Sequence, residues 1–152
     1  MIIYFDSSAF IKFFGKEKGS KKIIEIVKKA KKRENLLVSS TLMIPEIIGG
    51  FDKWYRQRLI TKLQFEQLLK FFLGTLIELI ENGIIKFILL DNSQAINNMN
   101  ILVKHHFGGC DLIHLNAAVL SDCDLFVASD KQLCNGAKDL GLKVLNPEEK
   151  TL

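Results

Sequence analysis

The sequence first narrows through what it does not contain. It has no run of roughly 20 uninterrupted apolar residues of the kind that spans a bilayer. Its most apolar stretch, FFLGTLIELIENGIIKFILL, is broken by Glu78, Glu81, Asn82, Gly83 and Lys86. A soluble chain is therefore expected, with no membrane partner. No basic start followed by an apolar run and a small-residue cleavage site is present, so export is not expected. Cys110, Cys123 and Cys134 are odd in number and form no CxxC pair. That argues against a disulfide framework or a zinc site and for reduced thiols in a cytoplasm. Repeats, low-complexity linkers and composition shifts are also missing, so residues 1–152 are expected to form a single domain.

What is present suits a packed core: 152 residues, 48% hydrophobic and 25% charged. The net charge of +4 is unevenly spread. Nine basic residues fall between Lys16 and Arg33, opposed only by Glu17 and Glu25. A basic face attracts polyanions such as RNA. Ile23, Ile24, Val27 and Ala30 form an apolar stripe opposite these lysines, so a solvated helix face is the favoured reading.

Strand and helix signals alternate along the whole chain. Strands are expected at Met1 to Phe5, Leu36 to Ser40, Ile84 to Leu90, Leu125 to Ser129 and in LKVL before Asn146-Pro147. Between them the pattern predicts helices from Ser8 to about Phe14, from Ser20 to Arg33, after Thr41 as a cap, and after Thr61. Gln64 completes a capping box with Thr61, and the helix they open carries Phe65, Leu68, Leu69, Phe72, Leu76 and Ile80 at helical spacing. Further helices are expected from about Ser93 to His106, from Cys110 or Asp111, and from Asp130 to about Leu140. The expected fold is a three-layer α/β/α arrangement around a mostly parallel sheet of about five strands. In such sheets function gathers at the carboxyl ends of the strands.

Acids stand at those ends. Asp6 closes the first strand, Asp130 follows LFVAS, Glu46 lies early in the helix after LLVSS, and Asp111 follows a glycine pair. Singly, each reads as well as a helix cap or a first-turn acid. Jointly they do not: two charges about 4 Å apart repel by about 4 kcal/mol at an effective dielectric near 20, so a convergent set needs a cation or protons. Oxygen donors without a cysteine or histidine pattern favour magnesium or manganese over zinc. His105 and His106 are adjacent, about 100° apart on a helix, and neither they nor His114 are expected to bind metal. Cys110 reads as a packed thiol. Trp54, Tyr55, Arg56 and Arg58 mix aromatic and basic character that suits RNA, although an interface or a solvated face is favoured.

YFDSSAFIK, Glu46 within TLMIPEIIGG, GGCDLIHLNAA, LFVASDKQL and the closing GLKVLNP together resemble the PIN domain, and in particular the ribonuclease toxins of VapBC-type toxin-antitoxin pairs. The resemblance covers the whole chain. It implies that Asp6, Glu46, Asp111 and Asp130 hold Mg2+ or Mn2+ and that the protein hydrolyses RNA phosphodiester bonds as an endoribonuclease. Asp6 would be the central ligand, with Asp111 and Asp130 completing the shell, and Glu46 would bind metal or orient the attacking water. Ser7, Ser8 and Ser129 would hydrogen-bond ligand carboxylates or the phosphate. Family members usually form homodimers and bind an antitoxin, so both partners are expected. Two features depart from the pattern. Ala128 stands where many relatives carry threonine, the Ser129 hydroxyl lying one position later, and the stretch from Phe51 to Glu81 is long and apolar-rich for the smallest members. Receivers and haloacid-dehalogenase-type phosphotransferases share an aspartate after the first strand, but Ser8 stands where the latter need a second aspartate. The main alternative is a catalytically weak or inactive PIN-fold module that binds RNA or protein.

Overall fold

The computed structural model describes residues 1–149. Five strands, β1 (Ile2–Phe5), β2 (Leu36–Ser40), β3 (Ile85–Ile88), β4 (Leu125–Val127) and β5 (Val144–Leu145), form one sheet in the order β3-β2-β1-β4-β5. Every pairing is parallel, and Ile3 lies opposite both Leu37 and Leu125. The central strands are buried on both faces, as their continuous apolar character requires. Helices cover both faces, giving the expected three-layer α/β/α fold. Among the described residues no helix is long and apolar enough to cross a membrane.

Alternation along β1 separates two cores. Ile3 and Phe5 face the first, which is built with α1 (Ser7–Phe10), α2 (Ser20–Lys31), α3 (Met43–Arg56) and α4 (Lys62–Glu81). Tyr4 faces the second, under α5 (Asn92–Ala95), α6 (Met99–His105), α7 (Gly109–Leu120) and α8 (Lys131–Asp139). The first core is aromatic: Phe14 meets Phe72 edge-on at 5.3 Å, and Phe51 meets Phe72 at 6.1 Å. The Phe51 to Glu81 stretch is thus the end of α3 and the whole of α4, packed on that cluster.

Several local expectations change. The first predicted helix is one turn, α1, followed by a 3-10 turn over Ile11–Phe13. The lysine-rich helix stops at Lys31, where it buries Ser20, Ile23, Val27 and Ala30 and leaves most of its lysines in water. Thr41 does not cap α3; Leu42 occupies that position, and the Ser40 hydroxyl accepts from its N–H at 3.2 Å. The Thr61–Gln64 capping box is formed. Ile80, placed by spacing in the buried stripe of α4, is 46% exposed, and Leu79 is buried instead. The helix expected from Ser93 to His106 is two helices, α5 and α6, because Asn98 adopts φ 57° between them. The buried Asn116 of α7 fixes that break: its amide donates to the Ala95 and Asn97 carbonyls, and its oxygen accepts from Asn98. A predicted break would have needed knowledge of this distant partner.

The strand order reverses between β1 and β4. The chain moves outward from β1 through β2 to β3, then returns to the other side of β1. Such a switch point opens a crevice at the carboxyl ends of the two strands. Asp6 and Asp130 follow those two ends.

Candidate active site

Asp6 caps α1, its Oδ2 accepting from the Ser8 N–H at 3.0 Å and also from the Ser8 hydroxyl. The same Ser8 oxygen accepts from the Ser129 N–H at 3.0 Å, so one hydroxyl ties the end of β1 to the end of β4. Asp6 is 2% exposed, and its Oδ1 has no hydrogen-bond partner among the described residues. The Ser129 hydroxyl, also buried, has none either. A buried carboxylate oxygen without a partner is costly to maintain.

Glu46 occupies the first turn of α3, just past Pro45, which the first turn tolerates because no intrahelical N–H is needed there. Its Oε2 lies 2.7 Å from His114 Nε2, and the Ser7 hydroxyl stabilises the same carboxylate. His114, in α7, is fully buried; its Nδ1 lies 2.9 Å from the Tyr4 hydroxyl, and its Nε2 lies 3.8 Å from Asp6 Oδ1. That last distance is within ion-pair reach but beyond a hydrogen bond.

Asp111 opens α7 and accepts from the Gly108 N–H at 3.0 Å. Asp130 caps α8, accepting from the Leu133 N–H at 2.8 Å. Both therefore perform the capping role that a sequence reading allows, yet Asp130 also follows the end of β4, and Asp111 lies within reach of its charge. The charges of Asp6, Asp130 and Glu46 all act on Asp111.

The titration of these groups records their crowding. Burial pushes the Asp6 carboxyl above its usual range, and the His114 charge and the Ser8 bonds oppose the shift without cancelling it. Burial also raises Asp111; the Gly108 N–H counters it, and the three neighbouring acids reinforce it. Glu46 goes the other way: burial would raise it, but the His114 hydrogen bond, Ser7 and the imidazole charge bring it below the usual 4.5. Burial opposes charge on His114, yet the hydrogen bond to Glu46 and the charges of Asp6, Glu46 and Asp111 outweigh it and lift the imidazole above 6.5.

All four predicted acids are accordingly brought to one edge of the sheet, with Ser7, Ser8 and Ser129 among them. Among the described residues, however, no three His, Cys, Asp or Glu side chains are grouped closely enough to grip a metal ion as they stand. The donor set still fits a hard divalent cation. It is made of carboxylate oxygens, one of them buried without a partner, and the acids repel one another.

His114 is the residue that sequence reasoning missed. Its signal is its position three residues after Asp111, which puts both on one face of α7. The other conspicuous residues lie elsewhere. His105 and Lys104 pair with Asp139, and His106 ends α6 with φ 56°. Trp54 packs beside Phe51 at 5.6 Å and Tyr55 stacks on Phe65 at 5.7 Å, while Arg56 pairs with Asp52. A cleft of about 710 Å³ lined by Phe14, Trp54, Leu59, Gln64, Leu68 and Phe71 holds none of the four acids. All three cysteines are free. Cys110 is exposed rather than packed, and partial desolvation with the charges of Glu46 and Asp111 raises its thiol above the usual range.

Comparison with known proteins bears on the fold. No family model matches the chain, and no curated protein matches it. Among solved structures it is similar to the crystal structure of PAE2754 from Pyrobaculum aerophilum, at 14% identity and a TM-score of 0.54, over 95% of this chain and 89% of that one. At that identity the likeness shows the fold alone.

Proposed function

We propose that the protein is a metal-dependent endoribonuclease of the PIN type, acting at the crevice between β1 and β4. The observation that carries this reading is the buried, unpartnered Oδ1 of Asp6 at the topological switch point, with Glu46, Asp111 and Asp130 around it. Magnesium or manganese bound there would supply positive charge for the phosphate and a water of lowered pKa. Asp6, Asp111 and Asp130 would hold the ion, with Asp6 the central ligand because Ser8 holds its Oδ2 in place and leaves the buried Oδ1 without a partner. Glu46 keeps its charge through His114 and Ser7 and suits the ligand or water-orienting role. Ser8 braces Asp6 against the β4 end.

A second reading has its own observation. His114 places a proton-bearing group between Asp6 and Glu46, so part of the repulsion is relieved without metal, as a non-catalytic PIN-fold module binding RNA or protein would require. Two measurements separate the readings. Wild type should cleave single-stranded RNA with manganese and Asp6→Asn should not; equal activity removes the nuclease assignment. Manganese should also raise the melting temperature of wild type, whereas an inactive scaffold would not respond.

The same reading includes partners. Exposed Leu73, Ile77 and Ile80 on α4 support a homodimer, and sedimentation at micromolar concentration should give about twice the 17.3 kDa chain mass. A mass near that of one chain would oppose it. An antitoxin encoded beside this chain is part of the toxin reading, and co-purification of the two gene products tests it.

A further inference from the structure

We propose that Tyr4 and His114 form a buried relay that positions Glu46 and keeps the imidazole from acting as a metal ligand. The inference rests on the metal-site reading given above, but its geometry stands independently. His114 is enclosed on all sides, and each ring nitrogen has one hydrogen-bond partner, the Tyr4 hydroxyl at Nδ1 and the Glu46 carboxylate at Nε2, with Asp6 Oδ1 farther from Nε2 at 3.8 Å. Tyr4 is itself fully buried on β1, stacked on Phe126 at 5.5 Å, so its hydroxyl is fixed by the sheet.

The direction of the relay follows from what each group can do. An ionised carboxylate only accepts, so Nε2 must carry the hydrogen toward Glu46. In the neutral ring Nδ1 then accepts from the Tyr4 hydroxyl; in the charged ring Nδ1 donates to the same oxygen. Nε2 is protonated in both cases and offers no lone pair to a cation. The bond to Oε2 also holds the Glu46 carboxylate in one orientation. His114 therefore resembles the outer hydrogen-bonding partners that orient metal ligands, except that here the carboxylate is the oriented group and the imidazole orients it.

The test combines manganese affinity with direct observation of the ring. In manganese titrations followed by calorimetry, His114→Leu should weaken binding by about 10- to 100-fold, the range typical for loss of such partners. His114→Gln, which retains an N–H donor, should recover part of that loss. Tyr4→Phe removes one oxygen from an otherwise unchanged core and should weaken binding by about tenfold, which keeps the proposal testable if His114→Leu fails to fold. Nitrogen-15 NMR of the His114 ring should show Nε2 carrying hydrogen both without metal and with saturating magnesium. Equal manganese affinity in wild type, His114→Gln and Tyr4→Phe would overturn the relay alone, as would an Nε2 that loses its hydrogen when magnesium binds. Absence of manganese binding by wild type would instead overturn the metal-site reading, and the relay's role with it.

Discussion

Two halves of the acidic crevice use the same side-chain chemistry in different ways. Asp6 and Glu46 are held by other side chains: Ser8, Ser7 and His114. Asp111 and Asp130 are held by backbone N–H groups at the starts of α7 and α8. In the first half Asp6 is buried and Glu46 half-buried, and their orientation is dictated from within the sheet, down to Tyr4 on the opposite face from Phe5. The second half is tied to helix termini, where carboxylates stabilise folding whether or not a ligand is present. Asp6 is thus a candidate for function at a cost in stability, while Asp111 and Asp130 are candidates that also stabilise the helices they cap.

The largest effect that would test this contrast is at Asp6. Asp6→Asn keeps the size of the side chain and an oxygen to accept from Ser8, but removes the buried charge. RNA cleavage with manganese should fall by more than about 100-fold, beyond the range seen for residues that only support a ligand. The melting temperature of the metal-free protein should stay equal or rise, because a buried charge that His114 and Ser8 compensate only in part is removed. A large drop in stability together with the loss of cleavage would mean that Asp6 is structural and would collapse the distinction between the halves.

Asp130 should behave differently. Asp130→Ala removes the cap of α8 and should lower the stability of the metal-free protein by about 1 kcal/mol in urea unfolding. Asp130→Asn keeps a capping oxygen and should change it by less than about 0.5 kcal/mol. Both should lose the stabilisation by manganese. If Asn retains the full manganese effect, Asp130 is a cap and no ligand.

The contrast also explains what was legible in the sequence. Strand periodicity, Asp6, Asp130 and the Thr61–Gln64 capping box are local signals, and each appears where its neighbours along the chain dictate. The acids could be placed on one edge because a parallel sheet puts all strand ends there. Asn98 and Ile80 could not be read: one breaks a helix through a side chain 18 residues away, and the other lies one position off the face that α4 turns inward. His114 fell between these cases. Its spacing from Asp111 was visible, but its bond to Glu46 spans 68 residues and depends on how α3 and α7 meet over the sheet. Of the cation or protons that a convergent acid set needs, the fold supplies part through this imidazole.

A smaller effect distinguishes the halves by pH. Asp111 has a folded pKa above its ordinary 3.8, raised by burial and reinforced by Asp6, Asp130 and Glu46. A raised folded value means that the folded chain holds this proton more tightly, so the stability linked to it is complete below 3.8 and is lost as pH rises through the folded value. Asp111→Asn, which can still accept from Gly108, cannot lose that proton. Near pH 3 the variant and wild type should unfold alike without metal. At higher pH the variant should become the more stable, by less than about 1 kcal/mol because the site is partly open to water. Manganese should reverse the order at pH 7, since the repulsion that weakens metal-free wild type is the attraction that binds the ion. A variant that matches wild type at every pH, with and without manganese, would show that Asp111 is a cap alone and that the crevice depends on Asp6, Glu46 and Asp130.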